Sequence, residues 1–187
     1  GWGAAVDVDR RGFYPVGGGA ATLSLAPSSP SSVAGVDRGA RTGVRVHSLA
    51  SESLSDADVA ERQAEACVAE LEAAGATVTE RTVGYAETAS PGSVCTVRVD
   101  FEDGVAGVDA LGEKGKPAED VGREAASDAL ALGKHDAAVD AHLADQLLVP
   151  LAVAGGELTI PRLTDHVETS LELLDAFGYA VDAVEER

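Results

Sequence analysis

The strongest constraint on the fold is a regular alternation of strand-like and helix-like segments over residues 43–135. Residues in the strand-like segments alternate with a period of two, and apolar residues in the helix-like segments recur at helical spacing. The predicted strands are 44–49, 78–85, 94–101 and 105–111, and the predicted helices are 59–74 and 117–132. This stretch is therefore predicted to form a self-contained β-α-β-β-β-α unit.

Short-range signals mark the ends of the first helix in this unit. Ser55 is predicted to be its N-cap, with Asp58 three residues later as the shorter acid of a capping box. Gly75 follows the last apolar position, and we expect it to end the helix at the C′ position.

The segments on both sides of this unit also alternate between strands and helices. Their predicted strands are 4–9, 21–26, 158–160 and 179–184, and their predicted helices are 139–148 and one that begins at Thr164 or Asp165. Pro150 is expected to interrupt the first of these helices. Residues 27–42 are rich in Pro, Ser and Gly, which indicates a connection between elements.

The change of composition at 27–42 is a candidate domain boundary. We expect an α/β (α+β) fold in which residues 1–42 and 136–187 form one domain. Residues 43–135 would form a small α/β domain inserted into it.

The net charge limits the solvent and the partners of the chain. There are 32 acidic and 14 basic residues, which gives a formal charge of −18. Such a surface repels itself in dilute buffer, and salt screens that repulsion, so we interpret the chain as adapted to high salt. An acidic cytosolic protein from an ordinary environment is the alternative. In dilute buffer the charge also argues against a nucleic-acid partner, but at about 1 M salt the Debye length is about 3 Å and local contacts decide binding.

Other broad classes are excluded by composition and pattern. Hydrophobic residues make up 45% of the chain, which is too many for a disordered protein. No apolar run is long enough for a membrane span, and no secretory signal is visible. Cys67 and Cys95 have no metal-ligand spacing, and the expected location is the reducing cytoplasm. The chain contains no Met and opens on Gly1-Trp2-Gly3, so we expect a fragment of a longer protein.

Two glycine-rich segments give only weak signals for phosphate binding. Residues 112–116 lack the spacing of a P-loop, and the triple glycine at 17–19 is not a dinucleotide-binding motif. The triple glycine would let a phosphate approach the backbone closely, although a tight turn is the more common explanation for such a segment.

The segment 142–146, His-Leu-Ala-Asp-Gln, carries a more specific pattern. His142, Asp145 and Gln146 share one face of a helix, because they lie at positions i, i+3 and i+4, whereas Leu143 faces away toward the core. A ring, a carboxylate and an amide on one rigid face suit a base or a ribose. A solvated polar face is the alternative interpretation.

His166 lies in the first turn of the last predicted helix, beside Thr164 and Asp165. A helix N-terminus carries partial positive charge, which attracts phosphate and favours a neutral imidazole. A neutral imidazole beside a bound phosphate is a competent nucleophile. A surface histidine near a helix cap is the alternative.

Four blocks of sequence in this order resemble the RNA 3′-terminal phosphate cyclases. The blocks are Arg-Gly-Phe-Tyr-Pro-Val-Gly-Gly-Gly at 11–19, Gly-Glu-Lys-Gly-Lys-Pro-Ala-Glu at 112–119, His-Leu-Ala-Asp-Gln at 142–146, and His166. Residues 60–92 are also similar to that family. The matching blocks correspond to the C-terminal portion of a family member, and the composition is haloarchaeal-like. The N-terminal half of the same protein would therefore be a missing partner.

The resemblance implies a large domain of repeated βαβαββ units interrupted by a small inserted α/β domain. It also implies a ligase that converts an RNA 3′-phosphate into a 2′,3′-cyclic phosphate with ATP and a divalent metal, Mg or Mn. His166 corresponds to the histidine that is adenylylated. The segment of His142, Leu143, Ala144, Asp145 and Gln146 corresponds to the adenine-nucleotide site, where His142 and Pro15 would sandwich the base.

The resemblance leaves two other functions open. Relatives without the catalytic histidine are noncatalytic ribosome-assembly factors for rRNA processing, and enolpyruvyl transferases share a related repeated fold. His166 argues against the first, and the block at 142–146 argues against the second. The family's phosphate-gripping arginines lie in the missing half, so we expect this chain alone to be inactive or nearly so. The basic cluster left here, with RNA contact as its only suggested role, is Arg10, Arg11, Arg38, Arg41 and Arg45.

Overall fold

The computed structural model of the protein describes residues 3–29, 31–35, 37–133 and 136–184. Its elements, in chain order, are β1 (Gly3–Arg10), β2 (Ala20–Ala26), β3 (Val33–Gly35), β4 (Arg41–Ser51), a 3-10 helix (Glu52–Ala57), α1 (Val59–Ala73), β5 (Val78–Ala86), β6 (Ser93–Phe101), β7 (Val105–Leu111), α2 (Ala118–Leu132), α3 (Ala141–Ala154), β8 (Gly156–Leu158) and α4 (Asp165–Ala176). The mixed α/β class predicted from the sequence is confirmed.

The chain divides into two compact units. The larger unit contains Ala4–Ser24 and Ala40–Lys134, and the smaller unit contains Gly1–Gly3, Leu25–Gly39 and His135–Arg187. The predicted domain boundaries near 43 and 135 stay a prediction, and Lys134 and His135 lie outside the described residues.

The larger unit is built on a four-stranded sheet in the order β5-β4-β6-β7. Strand β4 is parallel to β5, and α1 provides the crossover that a parallel pair requires. Strand β6 is antiparallel to both β4 and β7, and Val46 pairs with Val97 in the register of β4 and β6. The predicted β-α-β-β-β-α order of this unit is confirmed.

One face of the sheet packs against α1 and α2 to form the core. The side chains of β6 alternate between buried and partly exposed, as the period of two requires. Leu71 from α1, Val121 from α2 and Val97 from β6 are each at most 1% exposed. Burial of these apolar side chains is the main stabilising term of the unit.

A fully buried polar residue, Gln63 on α1, lies inside this core. Its amide nitrogen donates to Ser93 Oγ at 3.2 Å, and its amide oxygen accepts from Ser48 Oγ at 3.4 Å. Both ends of the amide are therefore satisfied, and the network connects α1 to β4 and β6.

Cys67 and Cys95 are free thiols buried in the same core. A hydrogen bond to Cys95 and burial together raise the pKa of the Cys67 thiol. The two cysteines therefore serve as small apolar side chains in this structure.

The N-cap of helix α1 lies three residues later than the sequence predicted. Ser55 is not its N-cap, because this serine lies in a preceding 3-10 turn, where its hydroxyl donates to the Glu52 carbonyl at 2.7 Å. Asp58 is the N-cap instead, with a left-handed φ of 50°. At the other end Gly75 follows the helix with φ of 77°, so its predicted role as a stop is confirmed.

The smaller unit contains a two-stranded parallel sheet and two helices. Strand β3 pairs with β8, from Val33 with Gly156 to Gly35 with Leu158. Helices α3 and α4 pack together around the buried Ala144, Leu148 and Val167. Residues 27–42 were expected to be only a connection, so β3 corrects that prediction.

Three further predictions for the smaller unit are wrong in detail. Helix α3 continues through Pro150 to Ala154. Proline has no backbone N–H, so one helical hydrogen bond is lost, but the apolar face of the helix still packs against its neighbours. The strand expected at 158–160 is two residues earlier, at Gly156–Leu158. Residues 179–184, all of which the structure describes, form no strand. The Tyr179 N–H donates to the Leu174 carbonyl, and none of the described strands pairs with the residues that follow.

None of the helices in the described parts of the chain is long and apolar enough to cross a membrane.

Candidate functional site

A cavity of about 610 Å³ in the smaller unit lies between the first turns of α3 and α4. Its lining combines polar residues of α3, the segment before α4, and the first two residues of α4. The residues are Ala141, His142, Asp145, Gln146, Arg162, Leu163, Thr164, Asp165 and His166. The structure thus brings His142, Asp145, Gln146 and His166, four of the predicted site residues, to one cavity.

The start of α3 is held by a side-chain cap. Asp140 Oδ1 accepts from the backbone N–H groups of His142 at 2.8 Å and Leu143 at 2.9 Å. On the apolar side of the helix, Leu143 packs against the core and Ala144 is 1% exposed. The cap and this packing together orient the polar face of α3, because they hold its backbone from two sides.

The start of α4 is capped in the same way. Thr164 Oγ1 accepts from the Val167 N–H at 3.3 Å, and Val167 is buried. His166, the second residue of α4, is exposed and faces the cavity. Its backbone lies in the partly positive first turn of the helix, where an anion is stabilised.

Ser170 connects the two helices at the site. Its hydroxyl donates to Asp145 Oδ1 at 2.7 Å, so one oxygen of this carboxylate is held by α4. Ser170 was not predicted from the sequence. The available signal was its position four residues after His166, which places both residues on one face of α4.

Arg162 adds a positive charge to the lining of the cavity. A guanidinium presents several donors to phosphate oxygens, so Arg162 is suited to a phosphate group. Arg162 was not predicted from the sequence, because a single arginine before a helix forms no motif.

Arg38 has a different place from the one expected from sequence. It was grouped with exposed basic residues, but its side chain is 3% exposed. Burial lowers the pKa of Arg38, and the nearby carboxylates of Asp136, Asp140 and Asp37 oppose that shift. Its guanidinium therefore lies near Asp140, the cap of α3, and is withdrawn from the protein surface.

Three predicted site residues, Leu143, Ala144 and Pro15, do not line this cavity. Leu143 and Ala144 lie on the apolar side of α3. Of the three, only Pro15 lies outside the smaller unit. It lies exposed in the loop between β1 and β2, which belongs to the larger unit. The predicted sandwich of a base between Pro15 and His142 stays a prediction.

The side chains that could coordinate a metal ion do not form a recognisable metal site in the described residues. Within the described ranges no group of three or more His, Cys, Asp or Glu side chains is placed to hold a metal ion. No residue of this chain is therefore assigned as a ligand of the expected Mg or Mn.

Comparisons with known proteins agree on one family. A family model described as the insert domain of RNA 3′-terminal phosphate cyclase matches residues 36–132. The RNA 3′-terminal phosphate cyclase of Halobacterium salinarum is 42% identical over 179 residues, which cover 96% of this chain and 50% of that protein. The protein of that name from Pyrococcus furiosus is 36% identical over 168 residues, which cover 90% of this chain and 48% of that protein. The chain spans about half the length of the relatives it matches.

Proposed function

Because the chain belongs to the RNA 3′-terminal phosphate cyclase family, we propose that it carries the nucleotide site and the nucleophile of an ATP-dependent RNA 3′-phosphate cyclase. The observation that carries this proposal is the cavity of the smaller unit. It places an exposed imidazole at a helix N-terminus beside a ring, a carboxylate and an amide on the neighbouring helix. Its relatives are named for the whole enzyme, and this chain spans about half of their length.

Each side chain of the cavity has a role that fits its chemistry. The ring of His142 stacks on the adenine base, and Gln146 offers an amide donor and acceptor to its polar edge. The carboxylate of Asp145, oriented by Ser170, accepts hydrogen bonds from the nucleotide. Arg162 and the first turn of α4 bind the phosphates.

The proposed reaction passes through a covalent adenylate on His166. A ring nitrogen of His166 attacks the α-phosphorus of ATP, a phosphorus–nitrogen bond forms, and pyrophosphate leaves with the electrons of the broken bond. An oxygen of the RNA 3′-phosphate then displaces the imidazole and takes the AMP group. Finally the neighbouring 2′-hydroxyl attacks the 3′-phosphorus, loses its proton, and expels AMP as the ring closes.

The described residues of this chain supply only part of the electrostatic stabilisation that phosphoryl-type transfer requires. Stabilisation of the developing charge is usually the largest catalytic term. Arg162 is the one cation in the lining of the cavity. We therefore expect the 187-residue chain to have little or no activity without the other half of the enzyme.

The experiment uses the full-length protein in high KCl with ATP, a divalent metal and an RNA labelled at its 3′-phosphate. The expected result is that the label becomes resistant to phosphatase, because a cyclic phosphodiester has no terminal phosphate to remove. The variant His166→Ala should lose this conversion. The matched control is His47→Ala, which removes an imidazole from β4 in the other unit, where Nδ1 contacts Thr82 Oγ1 at 2.7 Å.

Two outcomes would contradict the proposal. A folded full-length protein that leaves the label sensitive to phosphatase would favour a noncatalytic role in rRNA processing. Equal activity of His166→Ala and the unmodified protein would remove His166 from the reaction.

A further inference from the structure

Strand β7 is an edge of the four-stranded sheet in the larger unit. Among the described residues it pairs with β6 on one side, and no strand lies on its other side. Its pairing with β6 is continuous from Val105 to Leu111 and has no register shift. The outward backbone N–H and C=O groups of such a regular edge form a template for another strand.

The other edge of the sheet, β5, carries charges that discourage strand pairing. Glu80 and Arg81 lie within it and form ion pairs with Arg45 and Glu65. Strand β7 contains no lysine, arginine or proline, and its single charged residue is Asp109. Charged side chains and proline are the usual means of protecting an edge strand. The two edges therefore differ, and β7 is the one that is open to association.

Two large apolar side chains on β7 are exposed. Val105 is 52% exposed and Leu111 is 55% exposed, at the two ends of the strand. The intervening Ala106 and Ala110 are buried in the core, so Val105 and Leu111 lie on the opposite face of the sheet. A partner strand beside β7 would cover both exposed side chains.

The sequence of β7 is self-complementary when two copies pair antiparallel about Val108. In that register Val105 lies opposite Leu111 of the second copy, and this apolar pair occurs at both ends of the interface. Gly107 lies opposite Asp109, so no two like charges are directly opposite each other. The register that covers the apolar side chains is therefore also the one that separates the two carboxylates.

The register of β6 adds a charge-complementary contact. Arg98 pairs with Gly107, so Arg98, Gly107 and Asp109 of the second copy would form one row across the sheet. Gly107 leaves the row open, because a Cβ there would meet only the Val97 carbonyl oxygen, at 3.8 Å. The two ends of the row are about 10 Å apart, or two strand spacings, which an extended arginine and an aspartate span together.

The guanidinium of Arg98 is available for this contact. Its Nε donates to Asp100 Oδ1 at 2.8 Å, and no described residue accepts from its terminal nitrogens. The side chain is 47% exposed. A guanidinium can bind two carboxylates at once through different N–H groups, so Arg98 can keep Asp100 and also bind Asp109 of a second copy.

We propose that β7 is a docking surface for a second copy of the protein. The two β7 strands pair antiparallel and join the two four-stranded sheets into one, with Arg98 of each copy bound to Asp109 of the other. Main-chain hydrogen bonds and burial of Val105 and Leu111 supply the affinity, and the two charge pairs fix the register. The interface is isologous, so it closes as a dimer and does not form fibres.

The first test is sedimentation velocity of the full-length protein in about 2 M KCl, where repulsion between the acidic copies is screened. A weak dimer should form as the protein concentration rises from about 5 to 200 µM, because a single strand pair is a small interface. Asp109→Arg should weaken dimerisation by about tenfold, because both charge pairs become repulsive. The matched control is Asp56→Arg, which changes the charge equally at an exposed position of the 3-10 helix.

A mixture of two variants tests the charge pair directly. Arg98→Asp should also weaken dimerisation, because it opposes two aspartates. An equal mixture of Asp109→Arg and Arg98→Asp should recover dimers, because both charge pairs are attractive in the mixed dimer. Val105→Lys should also prevent pairing, and because Val105 is exposed this variant should fold even if Arg98→Asp does not.

Hydrogen exchange at low and high protein concentration locates the contact. The amides of residues 105–111 should exchange more slowly at high concentration, whereas those of β5, the charged edge, should not change. This readout separates pairing through β7 from association through any other surface of the full-length protein.

Three results would overturn the proposal. The first is a full-length protein that stays monomeric at every concentration, which would leave β7 unpaired or available to a strand of another protein. The second is a dimer that Asp109→Arg and Asp56→Arg weaken equally, since net charge alone would then explain the effect. The third is a dimer whose formation leaves exchange at 105–111 unchanged. None of these results bears on the reaction proposed for His166.

Discussion

In the cavity between α3 and α4, the carboxylate of Asp145 accepts a hydrogen bond from the Ser170 hydroxyl, which orients it. We expect Ser170→Ala to weaken ATP binding by about two- to tenfold, which corresponds to the loss of one hydrogen bond. Ser170→Thr should restore much of the affinity, because it keeps the hydroxyl. Isothermal titration calorimetry of ATP against each variant measures the effect.

The matched control for this prediction is Thr169→Ala on the same helix. The Thr169 hydroxyl donates to the Asp165 backbone carbonyl at 2.7 Å and does not contact Asp145. If both variants lose the same affinity, Ser170 acts through the stability of α4 and not through Asp145.

At the scale of single residues, sequence spacing predicted part of the site. The i, i+3, i+4 rule placed His142, Asp145 and Gln146 on one helix face, and the structure puts all three in one cavity. The bond from Ser170 and the burial of Arg38 could not be predicted in the same way, because both depend on packing between segments that are distant in the chain.

Among the elements, α2 packs directly against the backbone of α1 at Gly122. A Cβ there would be 2.1 Å from the Gln63 carbonyl oxygen and 2.9 Å from the Cys67 backbone nitrogen. Because backbone atoms cannot yield easily, we expect Gly122→Ala to destabilise the larger unit by about 1–3 kcal/mol. Chemical denaturation measures this loss.

The control for this prediction is Gly107→Ala on β7. A Cβ there has its nearest neighbour, the Val97 carbonyl oxygen, at an ordinary 3.8 Å. Similar unfolding free energies for the two variants would contradict the prediction, because α1 and α2 would then accommodate a Cβ at Gly122 without loss of stability.

Asp100 joins β6 to β4 and makes the stability of the sheet depend on pH. Partial burial alone would raise the pKa of Asp100, but hydrogen bonds from Arg98 and Arg45, each 2.8 Å, outweigh it and lower the pKa. Because the pKa of Asp100 is lower in the folded protein than in the unfolded protein, where it is about 3.9, the ionised carboxylate stabilises the fold above that pH. This contribution is lost as the pH falls through the pKa of the folded state. We therefore expect Asp100→Asn to have a flatter curve of unfolding free energy against pH in the acid range.

Arg45→Gln provides an intermediate case, since it removes one of the two guanidinium partners of Asp100. Its curve should lie between those of the unmodified protein and Asp100→Asn. Parallel curves for all three proteins would exclude Asp100 as a source of the acid sensitivity.

The elements themselves were predicted well where periodicity is long and flanked by turns. All four strands and both helices of the 43–135 unit are present, with ends that differ by a few residues. The short β3 was missed and β8 was predicted two residues too late, because three-residue strands carry no readable period and these two form by pairing with each other.

For the whole molecule, the charge of −18 predicts a dependence on salt. Added KCl screens the repulsion among the acids, so the thermal unfolding midpoint should rise between about 0.1 M and 2 M KCl. Scanning calorimetry in KCl measures it. Sulfate would be a poor choice of salt, because it strengthens apolar burial for any protein.

A thermal midpoint that is unchanged or lower in KCl would contradict the interpretation of the acidic surface as an adaptation to salt.

At the same scale, the resemblance of ordered blocks predicted the family, which the comparisons confirm. The division of the chain into two units could not be derived from sequence. It depends on which segments pack together, and Ala4–Ser24 belongs with the larger unit although it precedes the linker.

The most direct test of the account is to locate AMP on the protein. The full-length protein is incubated with ATP and a divalent metal in high KCl without RNA, digested under neutral conditions, and mapped by mass spectrometry. We expect one AMP adduct, on the peptide that contains His166, and none in His166→Ala. An adduct on another residue, or none in a folded protein that binds ATP, would contradict the assignment of His166 as the nucleophile.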